Sequence, residues 1–209
     1  MYTCAFCGLE SCEEEKPEKF PANCPCLEEA EIAEIKEAYE EGDNKRLAHV
    51  AAAVEAGGYC KLTRLEEIMD FAHRMGYRKL GIAFCIGLKK ETRILCDILK
   101  SNGFEVDAVA CKNGHIPKEF LGVCEEEKIE PGTHETMCNP IGQAYLLDRE
   151  GTDLNVILGL CVGHDTLFMK YSKAPVTVLA VKDRVLGHNP MAALYLADSY
   201  YHDKLYGKK

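Results

Sequence analysis

Asn155-Val156-Ile157-Leu158-Gly159-Leu160-Cys161-Val162-Gly163-His164-Asp165 runs from an apolar segment straight into a turn that carries reactive side chains. Val156 to Leu160 is short, β-branched at its start and bounded by polar residues, which predicts a buried strand rather than a helix. Gly159 and Gly163 let the chain turn sharply out of that strand. Such a turn sets the Cys161 thiol at the C-terminal edge of a sheet, where open α/β sheets bind ligands. By itself, Gly-Leu-Cys-Val-Gly has the form of a nucleophile elbow with cysteine in the serine position.

Working outward, the same strand-then-turn pattern recurs. Strands are predicted at Lys79–Cys85, Phe104–Ala110, 154–160 and Pro175–Val181. Helices are predicted between and after them, at Lys89–Ser101, Ile141–Arg149, Asp165–Tyr171 and from Met191 to about Tyr201. This alternation over 77–209 predicts an α/β fold: a parallel sheet of four or five strands with helices on both faces. Residues 27–76 read as a helical N-terminal layer of the same 27–209 domain. It contains a charged amphipathic helix over Glu28–Glu41 and an alanine-rich one over Lys45–Ala56, ended by Gly57-Gly58. A third helix starts at a capping box, Thr63-Arg64-Leu65-Glu66. His49 and His73 lie on these helices as surface or packed residues. Arg64 stands in a first turn, where the helix dipole disfavours a cation.

Cysteine is the outlier of a composition that is otherwise ordinary for a globular protein, with 47% hydrophobic and 28% charged residues. Twelve cysteines are present. The chain shows no basic-then-apolar start and no membrane-length apolar run, which predicts a cytoplasmic location. There, metal binding or thiol chemistry is a better use of cysteine than a disulfide framework. The net charge of −9, without a Lys/Arg cluster, argues against nucleic acid as a partner and predicts no membrane association. A small anionic ligand remains compatible.

Residues 1–26 form a Cys-rich segment too short and polar to bury a core. It runs from Cys4-Ala5-Phe6-Cys7 through Cys12 and a charged stretch, Glu13 to Lys19, to Cys24-Pro25-Cys26. Bound metal would supply the missing folding free energy. Cys4, Cys7, Cys12 and Cys24 are the expected ligands, with Cys26 a possible substitute for Cys12 or Cys24. Zinc and an iron–sulfur cluster such as 4Fe–4S both suit this set.

Cys85, Cys111 and Cys161 each lie at the end of a predicted strand, with a glycine shortly after. In a parallel sheet, strand ends of one kind share an edge, so the fold would gather these thiols. Cys138 can join them from the long polar connection 115–138, just before the helix capped by Asn139 and opened by Pro140. Two readings follow. In one, Cys85, Cys111, Cys138 and Cys161 hold a 4Fe–4S cluster or another metal for redox or sulfur-handling chemistry, with His164 nearby. In the other, Cys161 is the nucleophile of a hydrolase or transferase. His164 or His188 is then its base, Asp165 or Asp183 the orienting acid, and helix amides the oxyanion hole. Lys112 and Arg184 could hold a carboxylate or phosphate. Cys60, Cys96 and Cys124 read as packing or surface residues.

The combination of Thr63-Arg64, Gly81 to Leu88, Cys111-Lys112, Cys138-Asn139-Pro140-Ile141, Gly159 to Asp165, Lys182-Asp183-Arg184 and His188-Asn189-Pro190 resembles the family called domain of unknown function 1847. The likeness covers nearly the whole chain. Members are described as predicted metal-binding proteins, so the resemblance implies metal binding on an α/β fold and names no reaction.

Overall fold

Alternation along two strands builds the core of the larger unit. In the computed structural model, which describes residues 2, 4–14 and 19–207, β1 is Lys79–Phe84 and β3 is Leu154–Leu158. Side chains alternate across a strand. Leu80, Ile82, Phe84, Leu154, Val156 and Leu158 therefore share one face, while Ala83 and Ile157 point to the other. With β2 (Glu105–Ala110) and β4 (Val176–Ala180) they form a four-stranded, all-parallel sheet in the order β2-β1-β3-β4.

Helices cover both faces. Against the first lie α3 (Arg64–Met75), through Ile68 and Ala72, and α4 (Lys89–Ser101), through Leu95 and Leu99. Against the second lie α5 (Pro140–Arg149), through Ala144 and Leu147, and α6 (His164–Tyr171), through Phe168. The crossover after β1 thus leaves to one face and that after β3 to the other. Between these neighbouring strands the order reverses, and there the C-terminal edge opens into a crevice.

The chain divides into two compact units, Met1–Gly57 and Gly58–Lys209. The first contains α1 (Glu29–Tyr39) and α2, which runs Asn44–Gly58, continuing through the two glycines expected to stop it. Among the described residues, its Cys-rich start includes short 3-10 turns at Cys4–Phe6, Ser11–Glu13 and Pro25–Leu27. The charged stretch expected between Glu13 and Lys19 lies outside the described residues at 15–18.

Local chemistry explains the boundaries of α3. Thr63 Oγ1 accepts from Glu66 N while Glu66 Oε2 accepts from Thr63 N at 2.7 Å, a complete capping box. Gly76 closes the helix at φ 73°. Arg64 overcomes its unfavourable dipole position through a tertiary tie. Its guanidinium donates to Thr177 Oγ1 at 2.7 Å and to Val178 O at 3.3 Å, fastening α3 to β4. His73 stacks on Phe104 with centroids 4.3 Å apart.

The final helix is shorter than its sequence predicts. It ends at Tyr195 as α7 (Met191–Tyr195), and a separate short α8 (His202–Leu205) follows; neither has a buried residue. Without a packed face, helical propensity alone does not sustain a long helix. No helix among the described residues is long and apolar enough to cross a membrane.

Candidate functional site

Ladder hydrogen bonds carry the strand-end cysteines to a common edge. Cys85 N donates to Leu158 O at 3.1 Å and Cys111 N to Phe84 O at 2.9 Å, so each prolongs its strand by one pairing step. Beyond β3, Gly159 adopts φ 69°, and a Cβ there would lie 2.2 Å from Leu88 Cδ1. Only glycine meets both demands. The turn then closes on itself, with His164 N and Asp165 N donating to Cys161 O at 3.0 and 3.1 Å.

Cys138 arrives by closure of the long connection. Pro117 and Thr136 form an antiparallel bridge, and Met137 N donates to Ile116 O at 2.8 Å. Asn139 N then donates to Cys111 O at 2.7 Å. Two asparagines lock the base of the loop: Asn113 Nδ2 donates to Ala110 O and Asn139 O, and Asn139 Nδ2 donates to Asn113 Oδ1 at 3.1 Å. Asn139 Oδ1 also accepts from Gly142 N at 2.9 Å, capping α5 as its sequence predicts.

Cys85, Cys111, Cys138, Cys161 and His164 consequently line one cleft of about 570 Å³. They make a chain of contacts. Cys111 Sγ accepts from Ile86 N at 3.4 Å and contacts the Cys138 thiol, whose other neighbour is His164. His164 also touches Cys161, and Arg184 Nη2 donates to Cys161 Sγ at 3.4 Å.

Those contacts set the charges. Hydrogen bonding from Cys111 and then His164, helped by the Lys112 charge, lowers the Cys138 thiol to about 4. Cys111, 2% exposed, shifts upward because its bond to Cys138 and its burial both retain the proton. The two thiols therefore share one proton, held on Cys111. His164 is raised, first by Cys138, so the neighbouring thiolate favours its protonated form even at the start of a helix. Cys161 raises Arg184 in the same way.

The family described as protein of unknown function (DUF1847) matches residues 24–179. The chain belongs to the DUF1847 family. It is 54% identical, over 171 residues, to the uncharacterized protein MJ0455 of Methanocaldococcus jannaschii, which spans 82% of this chain and 86% of that relative. No solved structure matches it significantly. Cys85, Cys111, Cys138, Cys161 and His164 all fall inside the DUF1847 region.

Other expected site residues of this DUF1847 protein lie elsewhere. Asp165 Oδ1 accepts from Thr166 N at 2.8 Å in the first turn of α6. Asp183 Oδ1 accepts from Val185 N and Leu186 N, and His188 Nδ1 accepts from Asp183 N at 3.1 Å. Asp183 and His188 thus build one tight turn, and none of these three lines the cleft. Cys96 packs on the core from α4, while Cys60 and Cys124 are exposed.

In the N-terminal unit, Cys26 joins the cysteines expected there. Its thiol is raised chiefly by contact with Cys24, with charge on Cys24, Cys12 and Cys4 adding to the effect. Cys7 N donates to Cys4 O at 3.1 Å. Among the described residues, no three His, Cys, Asp or Glu side chains close on one point in a geometry that would hold a metal ion.

Sequence reasoning missed Gln143. Its side chain is wholly buried on α5, and Nε2 donates to Phe84 O at 3.1 Å and Val109 O at 2.7 Å. It ties together the strands that end in Cys85 and Cys111. The only signal in the sequence is a polar residue beside apolar Ala144 and Leu147.

Proposed function

We propose that the strand-end cleft is a thiolate metal centre, with Cys85, Cys111, Cys138 and Cys161 as its ligands and His164 as a fifth donor at its side. One observation supports this reading above the rest: four thiols and an imidazole line a single cleft. The donor set suits zinc or an iron–sulfur cluster. One thiolate already forms without a metal, at Cys138. Binding would require the remaining thiols to ionise and rotate together, since the donors do not yet close on one point. When bound, such a centre supplies Lewis-acid or one-electron chemistry. Around it, Ile86 N supplies a hydrogen bond to sulfur, Arg184 offsets thiolate charge, and Gln143 holds two strand ends in register.

Cys4, Cys12 and Cys24, with Cys7 or Cys26 completing the set, form a second metal site in the N-terminal unit under the same reading. The test is anaerobic purification followed by iron, sulfide and zinc analysis of the native chain, Cys138→Ser and Cys24→Ser. Each substitution should remove the metal of its own site and leave the other. Metal content unchanged by Cys138→Ser sinks the strand-end centre.

A second reading rests on the Cys138–His164 pair. A thiolate beside an imidazolium is the resting state of a cysteine nucleophile, so a hydrolase or transferase would use Cys138, with Cys161 sharing the same histidine. Rapid alkylation of Cys138 alone in metal-free protein favours this reading. Equal labelling of the exposed Cys60 and Cys124 removes it.

A further inference from the structure

The cleft carries a positive charge that its own groups do not match. Lys112, Lys118, Lys182 and Arg184 line it against one carboxylate, Glu127, on a chain whose net charge is −9. Most of these charges have an assignment. Lys118 pairs with Glu135. Lys112 donates to Thr136 O and supports the Cys138 thiolate. Glu127 is engaged by Cys124, accepting from Cys124 N at 3.0 Å and contacting Cys124 Sγ at 3.2 Å. Arg184 gives one N–H to Cys161, out of the five a guanidinium carries.

Lys182 is left over. Its ammonium lies 3.6 Å from where a Cβ on Gly159 would stand, and among the described residues it has no hydrogen-bond or ion-pair partner. Backbone geometry keeps it there, because Lys182 N donates to Leu160 O at 3.0 Å, next to Cys161. The cleft is also lined by apolar side chains, Ile86, Leu121, Val123, Ile129 and Met137. The volume exceeds what an inorganic ion needs and falls in the range of small-molecule sites.

We infer that the cleft binds a small organic anion, its oxyanion held between Lys182 and Arg184 beside Cys161 and its apolar body against the apolar lining. This rests on reading the cleft as the working site, but not on a metal being present. An ammonium and a guanidinium fork together suit a phosphate, sulfonate or carboxylate group.

Calorimetric titration of the full chain as purified, with phenyl phosphate, inorganic phosphate and phenol as probes, tests the assignment. Phenyl phosphate should bind one site per chain, at least about tenfold more tightly than either fragment, and weaken as salt is added. Lys182→Gln, at a side chain with no hydrogen bond to a thiol among the described residues, should weaken it about tenfold with unchanged metal content and circular dichroism. Arg184→Gln should weaken it similarly. Absence of saturable binding, or binding indifferent to Lys182→Gln, overturns the inference. The metal analysis described above can fail independently, so the two readings are separable.

Discussion

Asn139 N donates to Cys111 O at 2.7 Å, and this one bond sets the end of the long connection beside the end of β2. It makes Cys138 and Cys111 backbone neighbours, so that their thiols share a proton. The charge state of the cleft therefore depends on loop closure as much as on sheet topology.

In metal-free protein, the Cys138–His164 pair should make stability depend on pH from both sides. The folded Cys138 value lies below the ordinary 9.0, so its contribution is complete above that value and vanishes as pH falls through about 4. His164 is raised above 6.5, so its contribution is complete below 6.5 and vanishes as pH rises through its folded value. Urea unfolding of the native chain and Cys138→Ser should show a stability gap that narrows toward pH 4. A gap that stays flat through the acidic range contradicts the assignment of the thiolate to Cys138.

Gly159→Ala should damage the site through the backbone. It combines a positive φ with a Cβ 2.2 Å from Leu88 Cδ1, a cost of about 2–4 kcal/mol. Gly163→Ala also stands at positive φ, but its Cβ would meet nothing within 4 Å, so about 1–2 kcal/mol is expected. Denaturant midpoints of the two variants check the difference. Equal losses would mean that contact with Leu88 does not matter.

Gln143 allows a sharper comparison. Gln143→Leu removes two donated hydrogen bonds, but it also removes Oε1, which is buried without a partner among the described residues. These effects oppose each other, so a net loss of about 1 kcal/mol is expected. Gln143→Glu instead sets a buried carboxyl against two carbonyl oxygens and should cost at least about 3 kcal/mol. If the two variants unfold at the same urea concentration, the amide is not bridging these strands.

Arg64→Ala should loosen β4 from α3. Loss of the bonds to Thr177 Oγ1 and Val178 O is expected to cost about 1 kcal/mol. Amide exchange should quicken in 176–180 more than in β1. Uniform quickening across the sheet would show that Arg64 supports the whole unit rather than this edge.

The strands, their parallel arrangement, the Thr63 capping box and the Asn139 cap were all legible in the residues. They depend on short-range pattern: period-two burial, turn glycines, and side chains that reach their own backbone. The gathering of Cys85, Cys111 and Cys161 followed from topology, since parallel strand ends must share an edge. The end of the chain was less legible. An apolar pattern after Met191 reads as one helix, but helix length depends on a packed face, and α7 and α8 bury none of their residues.

What lay beyond local pattern was the pairing of side chains distant in sequence. Asp183 and His188 carry the right chemistry for a catalytic pair, yet their groups are consumed by one tight turn. Gln143 carries no motif, yet it bridges the two strands that lead to Cys85 and Cys111. The run from Asn155 to Asp165 predicted a strand, a sharp turn and a thiol at the sheet edge, because glycine conformation and strand burial are properties of a few adjacent residues. It contained one partner of that thiol, His164, but not the guanidinium of Arg184 or the Cys138 thiol that shares the histidine. Cys138 comes from a closed loop and Arg184 from the segment after β4, and only packing decides which of them reaches Cys161, His164 or Cys111.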